Sequence, residues 1–284
     1  MSKTDIITID SPSEWAAYCS QLREADLETS TGPETTIGFV PTMGALHRGH
    51  AELIRRSTRE NDVTLLSIFV NPTQFNDTGD LAAYPRTIET DLELARELGV
   101  SAVYLPTPDS MYPDDFSYRL QETDRSTSME GAHRPGHFAG VLTVVLKLLL
   151  LTRPRRAYFG QKDYQQYALI RGMAEAFFLR ETAGTEIVAC PTVREDSGLA
   201  FSSRNRQLTP TGLRTAARLY DILRTADSAE HAAQQLAAAG FAVEYVTDSS
   251  HLSPGSMRRF AAVKLEGVRL IDNIALNSNG GRHE

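Results

Sequence analysis

The sequence predicts an α/β chain: a doubly wound parallel sheet, followed by a smaller α+β domain. Three observations carry this. Short β-rich runs alternate with helical patterns through the first 192 residues, the arrangement that builds parallel sheets. Those runs are almost continuously apolar, as strands covered on both faces must be. After Pro191 the texture changes to a polar stretch and then to Ala/Leu-rich helical patterns. The expected division is therefore residues 1–192 and residues 193–284.

The strand runs lie at 36–40 (TIGFV), 63–70 (VTLLSIFV), 102–105 (AVYL), 157–159 (AYF) and 186–189 (EIVA). Helical periodicity fills 51–61, 87–98, 138–152 and 164–178. The longest apolar run, 141–151 (VLTVVLKLLLL), is interrupted by Lys147. It falls short of the ~20 residues a membrane span needs and reads as a buried helix. In the second domain, helical patterns cover 211–225 and 229–239, the latter stopped by Gly240. Strand-like runs follow at 242–246 and 260–271, broken by Glu266-Gly267. Gly32-Pro33, 77–80 and Gly255 read as loops. Trp15 and Cys190 read as packing residues.

Composition excludes several function classes. The 284 residues carry 29 Lys+Arg against 36 Asp+Glu, a net charge of −7. Neither nucleic acid nor an anionic membrane is expected to bind such a surface as a whole. An anionic ligand needs a local positive site. Two cysteines make no disulfide framework. The N-terminal MSKTDIITID lacks the apolar core of a signal peptide, so the expected setting is cytoplasmic.

Four clusters could carry chemistry. The first is PTMGALHRGH, comprising Pro41, Thr42, Met43, Gly44 and the pair His47 and His50. It follows the first strand run and opens the first helical pattern, where an open α/β sheet receives a nucleotide phosphate. Histidines three apart share a helix face. They suit phosphate oxygens better than a metal, because no third ligand lies at the usual spacing. Surface histidines beside a glycine turn are the plain alternative. The second cluster, FVNPTQF, offers Asn71 and the uncharged amide of Gln74, suited to a ligand with hydroxyls and a carboxylate. A polar loop would look the same.

The third cluster, YFGQKDYQQ, carries Gly160, Lys162, Asp163 and Gln166. Lys162 suits phosphate as a point charge, while Asp163 could bind ribose, order the lysine or help hold magnesium. A capped helix with an exposed lysine is equally compatible. The fourth, VREDSGLAFSSRNR, brings Val193, Phe201, Ser202, Ser203 and Arg204. Hydroxyls beside a guanidinium suit a leaving pyrophosphate. A solvated linker is the alternative, and Ser197-Gly198 suggests a mobile loop. His137 reads as structural. Asp91 belongs to an acidic helix whose charges are mostly a solvated face, yet it is the carboxylate assigned to a metal.

H-x-G-H after a first strand resembles the nucleotidyltransferase superfamily. Six blocks taken in order, PTMGALHRGH, SIFVNPTQF, YPRT, RPGHFAGVLTVVLKL, FGQKDYQQ and SSRN, closely resemble the pantoate–β-alanine ligase family. RLIDN (269–273) resembles that family's C-terminal strand. Gln161 stands where the family usually has Glu, and Phe201 where Met or Leu is common.

The resemblance implies a Rossmann-like domain with a C-terminal lid. It implies ATP-dependent condensation of (R)-pantoate with β-alanine through a pantoyl adenylate, with Mg2+ and a homodimeric assembly. It places Met43–His50, Gly160–Asp163, Val193 and Phe201–Arg204 around ATP. His50 would neutralise, or donate a proton to, the phosphate region, with His47 in support and Lys162 on the phosphates. Gln74 and Gln166 would hold pantoate. His47, His50, Lys162 and Arg204 are expected to form one positive pocket. Another H-x-G-H nucleotidyltransferase is the alternative activity.

Overall fold

The computed structural model describes residues 6–24, 35–252 and 255–276. The turn expected at Gly32-Pro33 lies outside them. Six strands form one parallel sheet: β1 (Ile7–Ile9), β2 (Ile37–Thr42), β3 (Val63–Ile68), β4 (Ala102–Tyr104), β5 (Arg156–Gly160) and β6 (Glu186–Cys190). Their order is β1-β4-β3-β2-β5-β6. The chain builds outward from β2 in one direction through β3, then returns to its other side with β5. That reversal opens a crevice beyond the carboxyl ends of β2 and β5. Pro41, Thr42 and Gly160 stand at those ends.

The register explains the apolar runs. Phe39 pairs with Leu65 on one side and Ala157 on the other, and all three are fully buried. The helix His137–Thr152 packs on this sheet through Val141, Leu142, Val145, Leu148 and Leu149. Among the described residues no helix is long and apolar enough to cross a membrane.

Several elements escaped the sequence reading, among them the helix Thr78–Ala83, where 77–80 reads as a loop, and two near the N-terminus. Strand β1 has three residues on the sheet edge, mostly exposed, so it shows no apolar run. The helix Pro12–Glu24 buries only Trp15 and Cys19. It is anchored by Trp15, which stacks on Tyr104 at 5.0 Å and donates to Thr152 Oγ1 at 2.9 Å.

The second sheet is antiparallel, in the order β7 (Ala242–Ser249), β8 (Met257–Leu265) and β9 (Val268–Leu276). The break at Glu266-Gly267 is the tight turn between β8 and β9. Both residues have positive φ, +51° and +81°, as such hairpin turns require. The helical pattern at 211–225 is two helices, Pro210–Ala216 and Arg218–Thr225. The pattern at 164–178 ends at Ala176, and a short helix, Leu179–Ala183, precedes β6. A separate apolar cluster including Leu219, Leu223, Leu236, Val263 and Leu270 supports this part of the chain.

Ion pairs seat the second sheet against the first part of the chain. Arg269 clasps buried Glu130 through two nitrogens at 2.6 and 2.7 Å, and Tyr245 donates to the same carboxylate at 2.8 Å. Within the second part, Arg194 makes a similar two-pronged contact with Asp272 at 2.6 and 2.9 Å, which ties the segment after β6 to β9.

Candidate active site

The crevice at the switch of strand order holds a cleft of about 250 Å³. Its wall includes residues from all four clusters: Met43, His47, His50, Asn71, Gln74, Gly160, Lys162, Gln166, Val193 and Phe201–Arg204.

The loop after β2 is shaped by two features. Gly44 takes a left-handed φ of +76°, and Ala45 follows at +49°. Asp91 then fixes the loop from beneath, accepting from Ala45 N and Leu46 N, each at 2.8 Å, and from Thr87 Oγ1 at 3.2 Å. Asp91 is 2% exposed and does not line the cleft. The expectation of a metal-facing Asp91 on a solvated face is thus corrected: its carboxylate is turned onto the backbone that presents the histidines.

The helix Arg48–Glu60 begins immediately after this loop, with His47 as its N-cap. His47 Nδ1 accepts from Gly49 N at 3.1 Å, and His50 Nδ1 accepts from His47 N at 3.3 Å. The two imidazoles therefore satisfy orphan amides at the helix start, a role usually filled by Ser, Thr or Asp. The rings stack with centroids 4.0 Å apart. Gly49 is needed for this: a Cβ there would lie 2.8 Å from His47 Cε1. The glycine of H-x-G-H lets the first imidazole fold back onto the helix.

Both histidines are neutral at neutral pH. Burial lowers His47 to about 4, with help from Lys162. Burial, His47 and Lys162 together hold His50 well below its ordinary value. With Nδ1 accepting, each ring carries its proton on Nε2 and offers that N–H as a donor. The expected positive pocket is corrected accordingly. The histidines are dipolar donors, Arg204 is balanced by Asp80 at 2.7 and 3.1 Å, and Lys162 lies 3.6 Å from Asp163.

Across the cleft, the 3-10 turn Pro72–Gln74 places Gln74. Buried Asn71 caps that turn. Its Oδ1 accepts from Tyr112 OH at 2.8 Å and from Thr73 Oγ1 at 2.9 Å, and its Nδ2 donates to Gln74 Oε1 at 3.0 Å. Asn71 thus orients Gln74, whose Nε2 meets, among the described residues, only the sulfur of Met43, at 2.8 Å. His137 also lines the cleft but is buried and hydrogen-bonded: its Nδ1 lies 2.8 Å from Gln74 O, and burial lowers it to about 4. Gln166 makes no side-chain hydrogen bond among the described residues.

The fourth cluster is a formed wall. Arg194 and Ala200 pair as an isolated bridge, and Gly198 N donates to Glu195 O at 2.8 Å. Ser197-Gly198 is thus a turn closed by that bond. Ser202 caps the following 3-10 turn by accepting from Arg204 N at 3.3 Å. Phe201 lies against His47, centroids 6.4 Å apart, with Arg48 over its ring at 5.8 Å.

Residues 11–275 match the family model described as pantoate-beta-alanine ligase. The chain belongs to that family. It is 52% identical over 241 residues to the pantothenate synthetase of Bdellovibrio bacteriovorus, covering 85% of this chain and 92% of that one. It is 49% identical to a pantothenate synthetase of Legionella pneumophila, strain Lens, covering 87% and 94%. The crystal structure of a pantoate-beta-alanine ligase from Francisella tularensis, complexed with beta-gamma ATP and beta-alanine, superposes with a TM-score of 0.82. The two are 38% identical, with 95% and 97% of the chains covered. Pantothenate synthetase from Thermus thermophilus superposes at 0.81, with 37% identity and 95% and 99% coverage.

For this member of the ligase family, sequence reasoning missed the residues that hold the site from outside. Asp80, Tyr112 and Glu130 position Arg204, Asn71 and Arg269, respectively. They are ordinary acids and a tyrosine in loops and short helices, and their pairing is visible only in three dimensions.

Proposed function

We propose that this chain condenses (R)-pantoate with β-alanine at the expense of ATP, forming pantothenate, AMP and diphosphate through an enzyme-bound pantoyl adenylate. The supporting observation is the pair of neutral histidines at a helix N-terminus, sharing one cleft with Lys162 and the amides of Gln74 and Gln166. Family membership supports the reaction, and the roles below are read from this geometry.

The pantoate carboxylate attacks the α-phosphorus of ATP, and the bond to the bridging oxygen of diphosphate breaks. Nε2–H donors of His47 and His50 hold phosphate oxygens, with the positive end of the helix behind them. Lys162, Ser202, Ser203 and Arg204 stabilise the charge that develops on the leaving diphosphate. Gln74 and Gln166 orient pantoate. The free amine of β-alanine then attacks the acyl carbon and AMP departs. The two cysteines are buried and neither lines the cleft, in keeping with positioning and charge stabilisation rather than a covalent cysteine intermediate.

Among the described residues no three His, Cys, Asp or Glu side chains gather into a metal site. Magnesium, however, binds phosphates with only one or two protein carboxylates. Asp163, partly exposed on the cleft wall beside Lys162, fits that need. The ion would neutralise phosphate charge there. The C-terminal sheet serves as the lid that keeps water from the adenylate.

The test is isotope exchange between diphosphate and ATP. It should require pantoate and proceed without β-alanine. Exchange without pantoate would favour another nucleotidyltransferase, and an absolute requirement for β-alanine would reject the adenylate route.

A further inference from the structure

We infer that Asn273 is a positioning residue for Lys162, and that Asp272 and Asn273 together tie both phosphate-facing loops to strand β9. This rests on the ligase reading and extends it to two residues outside the cleft that holds the phosphates.

The turn Gln161–Asp163, which carries Lys162, has no side-chain cap, and neither does the helix Tyr164–Ala176 that follows it. It is held from the opposite sheet. The Asn273 Nδ2 amide donates to Gln161 O at 2.9 Å and to Lys162 O at 2.8 Å. Those two bonds take both amide protons. Asn273 Oδ1 accepts from Arg258 at 2.5 Å, and its backbone N–H donates to Asp272 Oδ1 at 2.8 Å. The residue is 4% exposed, and its side-chain amide is hydrogen-bonded at both ends. A flipped amide would set an oxygen against two carbonyls, so the network fixes its orientation.

The preceding residue does the same for the other loop. Asp272 clasps Arg194, whose backbone bridges to Ala200 directly before Phe201–Arg204. Two adjacent residues of β9 thus reach the loop of Lys162 and the loop of Ser202, Ser203 and Arg204. Seating of the C-terminal sheet and placement of the phosphate-facing groups become one event. An adenylate is then formed only where the lid is already in place.

A double-mutant cycle reads this directly. Asn273→Ala is expected to lower pantoate-dependent diphosphate exchange at least tenfold, with the pantoate KM within twofold of wild type. In a Lys162→Ala background the same substitution should cost less than twofold, because the group it positions is gone. An unchanged rate in Asn273→Ala would overturn the assignment. So would an equal loss in both backgrounds, which is what general destabilisation gives. Should Asn273→Ala fail to fold, Asn273→Ser keeps one donor and carries the same cycle. Wild-type protein lacking pantoate-dependent exchange would instead overturn the ligase reading itself, and this role with it.

Discussion

His47 and His50 each turn Nδ1 toward the backbone at the start of one helix, at 3.1 and 3.3 Å, which leaves both Nε2 protons for a ligand. Two neutral donors 4.0 Å apart, ring to ring, avoid the repulsion that two imidazolium ions would suffer. Replacing His50 by Ala removes one such donor and half of the reciprocal cap. Adenylate formation should fall by roughly 10²–10³-fold, the usual cost of a lost donor to developing charge. The lost cap should cost about 1 kcal/mol of stability. Diphosphate exchange and chemical denaturation measure the two separately, and wild-type exchange in the variant would remove His50 from the reaction.

The same burial makes stability pH-dependent. His47 and His137 are each lowered to about 4 in the folded protein, from 6.5. The unfolded chain therefore binds more protons than the folded one between these values. The stability these two histidines contribute is fully present above pH 6.5 and is lost progressively as pH falls toward about 4. A shift of this size corresponds to roughly 3 kcal/mol per group. Denaturant titrations at about pH 7.5, 6 and 5 should show the decline, and His137→Gln should make it shallower. An identical slope in that variant would reject His137 as a contributor.

Asp91 is a support for the histidine loop. Asp91→Asn retains one acceptor for two backbone donors and turns an N–H group toward one of them. The expected loss is about 1–3 kcal/mol of stability, with slower exchange. The magnesium concentration for half-maximal exchange should not move, since Asp91 faces the backbone. A clear rise in that concentration would restore it as a metal ligand.

The Gln74 side chain is held by Asn71 through Oε1, and its Nε2 meets, among the described residues, only the Met43 sulfur, a weak acceptor. A substrate oxygen is a better partner. Gln74→Ala should raise the pantoate KM by an amount equivalent to ~1–3 kcal/mol while leaving the ATP KM near wild type. An unchanged pantoate dependence would reject the contact.

Strand–helix alternation made the parallel sheet legible because strands covered on both faces must be apolar throughout. The short edge strand Ile7–Ile9 obeys no such demand and was invisible. The motifs likewise named the groups facing the cleft, since each follows a strand end. Charge state was not legible. Only packing shows that His47 and His50 are neutral and that Arg204 already has Asp80 as its counter-ion. Asp91 misled for the same reason. Its acidic neighbours suggested a wet face, whereas the helix Ile88–Glu97 turns this one carboxylate inward.

Gly160 separates the demands of the fold from those of the ligand. Its φ of −76° and ψ of 135° suit any residue, and a Cβ there would meet no protein atom within 4 Å. The fold therefore gives no reason for glycine at this position, yet Gly160 lines the cleft at the end of β5. Under the ligase reading proposed above, a nucleotide approaches this backbone closely. Gly160→Ala should fold normally and gain about 0.4–1 kcal/mol, because the unfolded chain loses freedom. It should raise the ATP KM at least tenfold, leaving the pantoate KM little changed. Stability from denaturant titration and the two KM values decide the matter. A variant with normal ATP use would show that the nucleotide does not pack against β5, and would move it toward the wall formed by Phe201–Arg204.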